Sequence, residues 1–331
     1  MDLTTRYLGL QLPHPFMTGA SPMADDLDTV RRLEDAGVAA IVMRSLFEEQ
    51  IRGDELSTIG QEEHHEDSFG EALSYMPASS RDRLGPEEYL EQIARVKEAV
   101  SIPVIASING TTPGGWLWYA SLMEDAGADA LELNCYELCT DPEESGADVE
   151  QRLLETVQSI KQKVDIPVSV KLSPFYSSLS HLAQQLDRRG ADGLVLFNRF
   201  LQPDIDVEEL EVVRVVHPSD SSILPLRLRW LAILSGRVRS NLAVTGGVHT
   251  ALDAVKAIMA GADAVQLVSC LLLNGPQHLR TLLDDLRRWM LEHEVESLDM
   301  IRGSMNLLRC PDAKAYERAN YMEALRHWAP R

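Results

Sequence analysis

The feature that most constrains the fold of this chain is a recurring unit: a helix end, a glycine and a short aliphatic run. The unit occurs as LEDAGVAAIVM (33–43), MEDAGADALELN (123–134), LDRRGADGLVLFN (186–198) and IMAGADAVQLVS (258–269). Glycine readily takes the left-handed conformation that ends a helix, and a continuous aliphatic run is typical of a strand buried on both faces. The repeat therefore predicts helices that turn directly into the parallel strands of one sheet.

Four further aliphatic runs complete a series of eight strands. They are PFMTGAS (15–21), SIPVIASI (101–108), DIPVSVKLS (165–173) and NLAVTGG (241–247). The strands alternate with about eight helical patterns, and no Gly/Ser- or Pro-rich linker divides the 331 residues. Eight βα units in one series predict a closed (β/α)₈ TIM barrel, a single α/β domain spanning 1–331 with long loops on its C-terminal face.

Three segments fall outside the eight units. Residues 44–85 contain few apolar residues and no clear long helix, which predicts a lid over the catalytic face. Residues 199–225 form a second excursion after the sixth strand. The tail at 294–331 has a helical pattern and is expected to pack on the barrel.

Composition excludes several classes of function. Lysine and arginine number 31 against 51 acidic residues, a formal charge of −20, which disfavours binding to nucleic acid. There is no apolar run of membrane-spanning length and no signal-peptide pattern, so we expect a cytoplasmic protein that does not bind membranes. The four cysteines contain no CxxC pair, and the acidic EEHHED (62–67) fits a solvated loop, so no metal site is expected.

The active site of such a barrel is built from the C-terminal ends of its strands. These ends carry polar side chains and glycines, with one lysine and one arginine, but no His/Asp/Glu cluster of the kind that binds a catalytic metal. The residues are Ala20, Ser21, Arg44, Asn109, Asn134, Lys171, Asn198, Gly246, Gly247 and Ser269.

The ends of the last two strands indicate a phosphate site. Strands seven and eight of many barrels bind phosphate through backbone N–H groups. Gly246 and Gly247 allow the backbone to approach an anion closely, and Ser269 can add a hydroxyl contact. Two glycines could also serve only a tight turn, but the position of Ser269 favours phosphate binding.

Lys171 and three asparagines indicate a planar ligand. A lysine inside the ring of strand ends is costly unless it faces an anion or an electron-rich ring. Lys171 could form a Schiff base, or it could donate to the N1/O2 edge of a flavin. Asn109, Asn134 and Asn198 suit the rim of a heterocycle rich in carbonyl and N–H groups.

The chain resembles the dihydroorotate dehydrogenase family of FMN-dependent barrels over essentially its whole length. The resemblance is carried by HPFMTGAS (14–21), LELN (131–134), VKLSP (170–174), FN (197–198) and TGGVHTALDAVKAIMAGADAVQLVS (245–269), of which the last is the most specific. The tail YERANYMEAL (316–325) is similar to a divergent branch described only as dihydroorotate dehydrogenase-like.

The resemblance implies a role for each of these positions. Ala20 and Ser21 would lie along the flavin, and Arg44 stands where the family commonly has a lysine near the isoalloxazine. Asn134 and Asn198 would contact substrate and flavin. Lys171 would contact the flavin ring. The FMN phosphate would be held by Gly246, Gly247 and Ser269.

The chain also departs from the family pattern in LELNCYELC (131–139), the loop expected to carry the catalytic base. Counted from Asn134 without a gap, the base position is Glu137, and Cys139 takes the place of a second asparagine. Glu137 is the first candidate base, Cys139 the second, and Cys135 and Tyr136 follow. LSYMPASSRDRLG (73–85) replaces the usual substrate loop, and Val268 stands where glycine is common.

We therefore expect an FMN-dependent oxidoreductase of the CH–CH class, in which a base removes a proton from a small carbonyl substrate and a hydride passes to flavin N5. The electron acceptor would be a soluble oxidant or a redox partner protein, and we expect a homodimer. Two alternatives stay open: a flavoprotein electron-transfer or regulatory subunit, and a non-redox phosphate-binding lyase or isomerase using Lys171.

Overall fold

A computed structural model describes residues 1–47, 85–110, 113–199, 203–213, 217–309 and 312–326 of the chain. Most of the expected lid, 44–85, lies outside these ranges, as do the EEHHED stretch and Cys310. Assignment of that segment as a lid therefore stays a prediction.

Eight parallel strands form the barrel, as the repeat predicts. They are β3 (Phe16–Thr18), β4 (Ile41–Val42), β6 (Val104–Asn109), β7 (Ala130–Asn134), β8 (Val168–Leu172), β9 (Gly193–Leu196), β12 (Asn241–Thr245) and β13 (Ala264–Leu267). The ladder runs β3-β13-β12-β9-β8-β7-β6-β4. Backbone hydrogen bonds from Thr18 N to Ala40 O (3.1 Å) and from Ala39 N to Phe16 O (3.0 Å) join its two ends. The TIM barrel is thereby confirmed.

The helices follow the strands in the expected alternation. They are α1 (Leu27–Ala36), α2 (Pro86–Ala99), α3 (Pro113–Asp125), α4 (Gly146–Lys163), α5 (Leu179–Arg188), α6 (Leu224–Leu234), α7 (Ala251–Ala260), α8 (Ser269–Asn274), α9 (His278–Glu292) and α10 (Ala313–Arg326). Gly37 ends α1 with φ +98°, the left-handed value that the repeat requires. Helix α10 lies within the tail that the sequence predicts to be helical.

A short hairpin closes the N-terminal end of the barrel. Strands β1 (Thr5–Tyr7) and β2 (Leu10–Leu12) pair antiparallel. Tyr7, Leu8 and Leu12 are buried in one cluster with inward residues of the barrel strands. Because this end is filled by apolar side chains, a ligand has to enter from the opposite face, where the strands terminate.

The described part of the excursion after the sixth strand contains a second hairpin. Strand β10 (Asp204–Asp206) pairs antiparallel with β11 (Glu211–Val213), and Ile205 and Val212 are both exposed. Strand β5 (Leu46–Phe47) pairs in parallel with the C-terminal end of β6.

Candidate functional site

A cavity of about 680 Å³ opens at the C-terminal ends of the strands. This is a volume typical of small-molecule and cofactor sites. Eight of the residues expected at the site line it: Ala20, Ser21, Arg44, Asn134, Lys171, Asn198, Gly246 and Ser269. Asn109, Gly247, Glu137 and Cys139 are not in its lining as the described residues form it.

The lining of the cavity is basic although the chain is acidic. Arg44, Lys171, Arg199 and Arg227 line it, and no aspartate or glutamate does so among the described residues. The whole chain carries a formal charge of −20. Because the cavity lining is positively charged while the chain as a whole is negatively charged, the cavity attracts an anion through its local charge.

An amide and hydroxyl network fixes Asn134 at the end of β7. Its Nδ2 donates to Ser45 Oγ at 2.9 Å, and its Oδ1 accepts from Asn198 Nδ2. Ser45 Oγ in turn lies 2.7 Å from Ser107 Oγ. These partners fix the positions of the oxygen and the nitrogen of the Asn134 amide. The network therefore holds Asn134 and Asn198 in one orientation toward the cavity.

Lys171 is held by a carboxylate from the neighbouring strand. Lys171 Nζ lies 3.2 Å from Glu132 Oε1 in a pair that is almost fully buried. Alternation along a strand places Glu132 on the same side of β7 as Asn134, which is paired in register with Lys171. The other oxygen, Glu132 Oε2, accepts from Gln266 Nε2 at 2.5 Å. Glu132 thus stabilises a positive charge on the amine at the cavity floor.

The glycine corner follows β12. Gly246 and Gly247 have φ values of +77° and +85°, and a Cβ on Gly247 would lie 2.9 Å from the backbone N of Leu224. Ser219 Oγ is 3.5 Å from Gly247 N, and Ser219 N donates to Ser269 Oγ at 2.9 Å. Backbone N–H groups and two hydroxyls therefore meet where the sequence predicts a phosphate.

Arg227 of helix α6 lies beside that corner. Its side chain is buried, with Nε donating to Thr245 O at 2.6 Å and Nη1 to Ile223 O at 2.9 Å. Burial, and secondarily the charge of Arg199, lowers the pKa of Arg227 to about 10. The group still carries a full positive charge at neutral pH.

Two of the buried donors without a partner among the described residues belong to residues expected at the site. Ser21 Oγ, which belongs to the cavity lining, and Asn109 Nδ2 make no hydrogen bond within the described structure. Orphaned buried polar atoms are rare in folded proteins, and they mark places where a ligand or water completes the bonding. Together with the glycine corner and the cationic lining, the Ser21 hydroxyl fits a flat, hydrogen-bonding cofactor that carries a phosphate.

Arg44, another residue of the cavity lining, is held by an ion pair. Arg44 Nη1 pairs with Asp25 Oδ2 at 3.2 Å, and both side chains are partly exposed. Burial raises the pKa of Asp25 and the Arg44 charge opposes that rise. The arginine therefore stands at the predicted position with a carboxylate to fix its side chain.

The candidate bases of the loop after β7 differ in whether they line the cavity and in how far they are exposed. Tyr136 lines the cavity. Glu137, with 38% of its side chain exposed, pairs with Arg152 at 2.6 Å. Arg152 also binds Glu144, so the cation occupies the space between the two carboxylates. Cys139 is exposed beside them, and Cys135 is buried.

Three residues of the site are absent from the sequence-based prediction. Arg199 follows Asn198 directly at a strand end, and that position could have identified it. Ser219 and Arg227 follow long connections, and nothing in the apolar pattern LPLRLRWLAIL (224–234) separates a cavity-facing arginine from a solvent-facing one. Only the packing of α6 on the barrel brings Arg227 to the cavity.

No helix in the described ranges combines the length and apolarity that crossing a membrane requires.

Comparison with known proteins agrees with this geometry. Residues 2–290 match the model of the family described as dihydroorotate dehydrogenase. A protein of Aeropyrum pernix provisionally named dihydroorotate dehydrogenase A (fumarate) is 29% identical over 307 residues, 91% of this chain and 97% of the relative. The catalytic subunits of dihydroorotate dehydrogenase B (NAD(+)) from Thermoplasma volcanium and Thermoplasma acidophilum are 28% and 27% identical, each over 91% of this chain and 98% of the relative. The chain therefore belongs to the dihydroorotate dehydrogenase family.

Proposed function

We propose that this protein is an FMN-dependent oxidoreductase that acts on a CH–CH bond of a small carbonyl-containing substrate. The observation that carries the proposal is the cavity itself. Its lining is cationic without a single described carboxylate, it has a glycine corner at one end, and it has the Lys171 amine at its floor. Family membership supports the same class of chemistry.

The chain offers complementary groups to each part of FMN. Gly246, Gly247 and Ser269 would hold the phosphate. Ala20 and the unpaired hydroxyl of Ser21 would lie along the ring system. The amide of Asn109 is also unpaired among the described residues, but it does not line the cavity. Lys171 would donate to the electron-rich N1/O2 edge, where a positive charge stabilises the reduced anion.

FMN, when bound, supplies a hydride acceptor at its N5 atom. The protein's part is to position the substrate and to move a proton. Asn134 and Asn198, held by each other and by Ser45, would orient a carbonyl substrate. Arg44, at the mouth, adds a positive charge for an anionic substituent. Lys171 is held in place by its ion pair with Glu132.

The proton acceptor is proposed to come from the loop after β7. Tyr136 is favoured by position, since it is the candidate of that loop that lines the cavity. Glu137 and Cys139, the candidates from the family alignment, would need the loop to move, because Arg152 holds Glu137 in an ion pair. Burial raises the pKa of Cys135 to about 12, so its thiol is protonated at neutral pH and does not act as the base.

The electron acceptor is proposed to be a soluble oxidant or a redox partner protein. The A. pernix relative carries fumarate in its name and the Thermoplasma relatives are named as NAD(+) catalytic subunits, so both kinds of acceptor occur in the names of related chains. We further propose that the protein works in the cytoplasm as a homodimer.

One observation favours a second function. The expected carboxylate base is tied to Arg152 outside the cavity, and a flavoprotein without a base would transfer electrons rather than dehydrogenate a carbon–carbon bond. A Schiff-base lyase is disfavoured, because the Lys171 amine is already engaged in a buried ion pair with Glu132.

Reconstitution and anaerobic reduction test these functions. Purified protein is titrated with FMN, and the flavin absorbance is then followed without oxygen as dihydroorotate, dihydropyrimidines and related acids are added. Bleaching by one of these compounds is the expected result. Bound FMN that none of them reduces would support the electron-transfer alternative. Failure to bind FMN would exclude both flavin functions.

A further inference from the structure

We infer that Arg227 is an anion-binding residue whose guanidinium holds the phosphate of the mononucleotide at the glycine corner. The inference rests on the proposed FMN function and adds to it a charged phosphate-binding residue that the family motifs quoted above do not contain. Arg227 would make the protein bind a phosphorylated flavin in preference to an unphosphorylated one.

The burial of Arg227 is the first reason. The residue is only 6% exposed, and none of the described ion pairs joins it to an aspartate or glutamate. A charge withdrawn from water without a counter-charge is strongly unfavourable. An arginine in this position therefore indicates an anion that binds beside it.

The hydrogen bonds of Arg227 leave one edge for a ligand. Nε and Nη1 donate to the carbonyl oxygens of Thr245 and Ile223. Nη2 has no partner among the described residues, and it lies 3.1 Å from where a Cβ on Gly246 would be. The unpaired edge of the guanidinium is thus beside the glycine that the phosphate is expected to approach.

A second cation lies in the same part of the cavity. Arg199 lines it too, and its charge helps to lower the pKa of Arg227. Two arginines that repel each other, with no aspartate or glutamate among the described lining residues, favour the binding of an anion. A phosphate dianion removes that repulsion.

The other groups at the corner provide hydrogen bonds but no charge. They are the backbone of Gly246 and Gly247 and the hydroxyls of Ser219 and Ser269. Hydrogen bonds from a charged donor to phosphate are about twice as strong as those between neutral groups. Arg227 is therefore expected to contribute a large part of the phosphate affinity.

The test compares FMN with riboflavin, which has the same ring and lacks the phosphate. Flavin-free wild type and Arg227→Met are titrated with each compound by fluorescence quenching. We expect wild type to prefer FMN, and Arg227→Met to bind FMN about 10- to 100-fold more weakly, the range for one lost charged hydrogen bond. Riboflavin affinity should stay within about twofold, since no charged contact to it is lost.

Matched variants separate binding from structure. Arg229→Met removes an exposed charge from the same helix and should leave both affinities unchanged. Arg227→Lys keeps the positive charge but loses the planar guanidinium with its several N–H donors, and should retain part of the preference for FMN. If Arg227→Met does not fold, Arg227→Gln takes its place, because its amide can still donate to a carbonyl, and the same selective loss is expected.

The outcomes distinguish the two levels of the proposal. Equal weakening of FMN and riboflavin would assign Arg227 a purely structural role and overturn the inference. An unchanged preference for FMN would also overturn it, with the flavin function intact. Binding of neither flavin by the wild type would instead remove the proposed function.

Discussion

Glu132 and Lys171 form an ion pair inside the barrel, with 3.2 Å between Oε1 and Nζ and with 1% and 8% of their side chains exposed. Two charges this deeply buried depend on each other, because little water can reach either group to replace its partner. Gln266 completes the set by donating to the second oxygen of Glu132. The pair therefore fixes the position of the amine at the cavity floor.

Removal of one member of this pair should destabilise the protein strongly. We expect Glu132→Gln or Lys171→Met to lower the free energy of unfolding by about 3 kcal/mol, because the remaining charge is left buried and unpaired. The double variant Glu132→Gln/Lys171→Met should lose less than the sum of the two. Urea denaturation followed by circular dichroism measures all three.

An exposed pair provides the control for that measurement. Arg31 and Asp28 lie 3.4 Å apart on helix α1 with both side chains in solvent, and Arg31→Gln should leave the denaturation midpoint unchanged. Additive losses in the Glu132/Lys171 double variant would show that the two residues do not depend on each other, contrary to the geometry.

Gly247 is expected to tolerate no side chain. Its φ is +85°, and a Cβ would lie 2.9 Å from Leu224 N and 3.0 Å from Leu224 Cα. Since this contact is with backbone, it cannot relax by a rotamer change. Gly247→Ala should destabilise the fold by about 2 kcal/mol or more and weaken FMN binding at least about tenfold.

Gly9→Ala separates the two causes. Gly9, in the turn of the first hairpin, has a similar φ of +74° but nothing within 4 Å of its would-be Cβ. Its substitution should cost about 1 kcal/mol from backbone strain alone and leave FMN affinity unchanged. Thermal unfolding and flavin titration report the difference. Equal losses in the two alanine variants would mean that the contact with Leu224 has no effect.

The barrel could be predicted because its determinants are local. Each of the four repeated units contains its own helix end, glycine and aliphatic strand, and parallel strands of this kind have few ways to assemble. The same strand assignments identify the residues at the strand ends, such as Asn134 and Lys171. Their prediction as site residues required only the rule that catalytic groups lie where barrel strands terminate.

The remaining parts of the site depend on contacts between distant segments. Arg227 reaches the cavity only because α6 packs beside the end of β12, a relation that its own apolar pattern does not reveal. Glu137 is adjacent to the site in sequence, but Arg152, fifteen positions later, pairs with it. Side-chain direction within an irregular loop is decided by such partners and not by spacing.

The roles of Tyr136 and Glu137 can be separated by two conservative substitutions. If Tyr136 takes up the proton, Tyr136→Phe should slow flavin reduction by the substrate about 100-fold or more, in the range of general-base catalysis. Glu137→Gln should change the rate little, because Glu137 is already paired with Arg152 outside the cavity. Anaerobic stopped-flow absorbance measures both.

Arg152→Gln tests whether the loop moves. This variant releases Glu137 and Glu144 together, and it should leave the rate near that of the wild type if Tyr136 is the base. A large loss in Glu137→Gln combined with none in Tyr136→Phe would instead support Glu137, in the place that the family pattern gives it.

The cysteines of the loop after β7 should differ sharply in reactivity. Burial raises the pKa of Cys135 from 9.0 to about 12. Cys139 is exposed, although partial burial and the neighbouring Glu137 and Glu144 raise its pKa too. The thiolate is the reactive form, so at pH 8 a chromogenic disulfide reagent should label Cys139 quickly and Cys135 only after unfolding.

The buried thiol also predicts how stability depends on pH. The folded pKa of Cys135 lies above the unfolded value, so its contribution to stability is complete below about pH 9 and is lost as pH rises toward about 12. We therefore expect the free energy of unfolding to depend less on pH between pH 9 and 11 in Cys135→Ser than in the protein that keeps Cys135. Both proteins carry Cys310→Ser in this comparison. Rapid labelling of Cys135 in the folded protein at pH 8 would show that it carries a thiolate and would restore it as a candidate base.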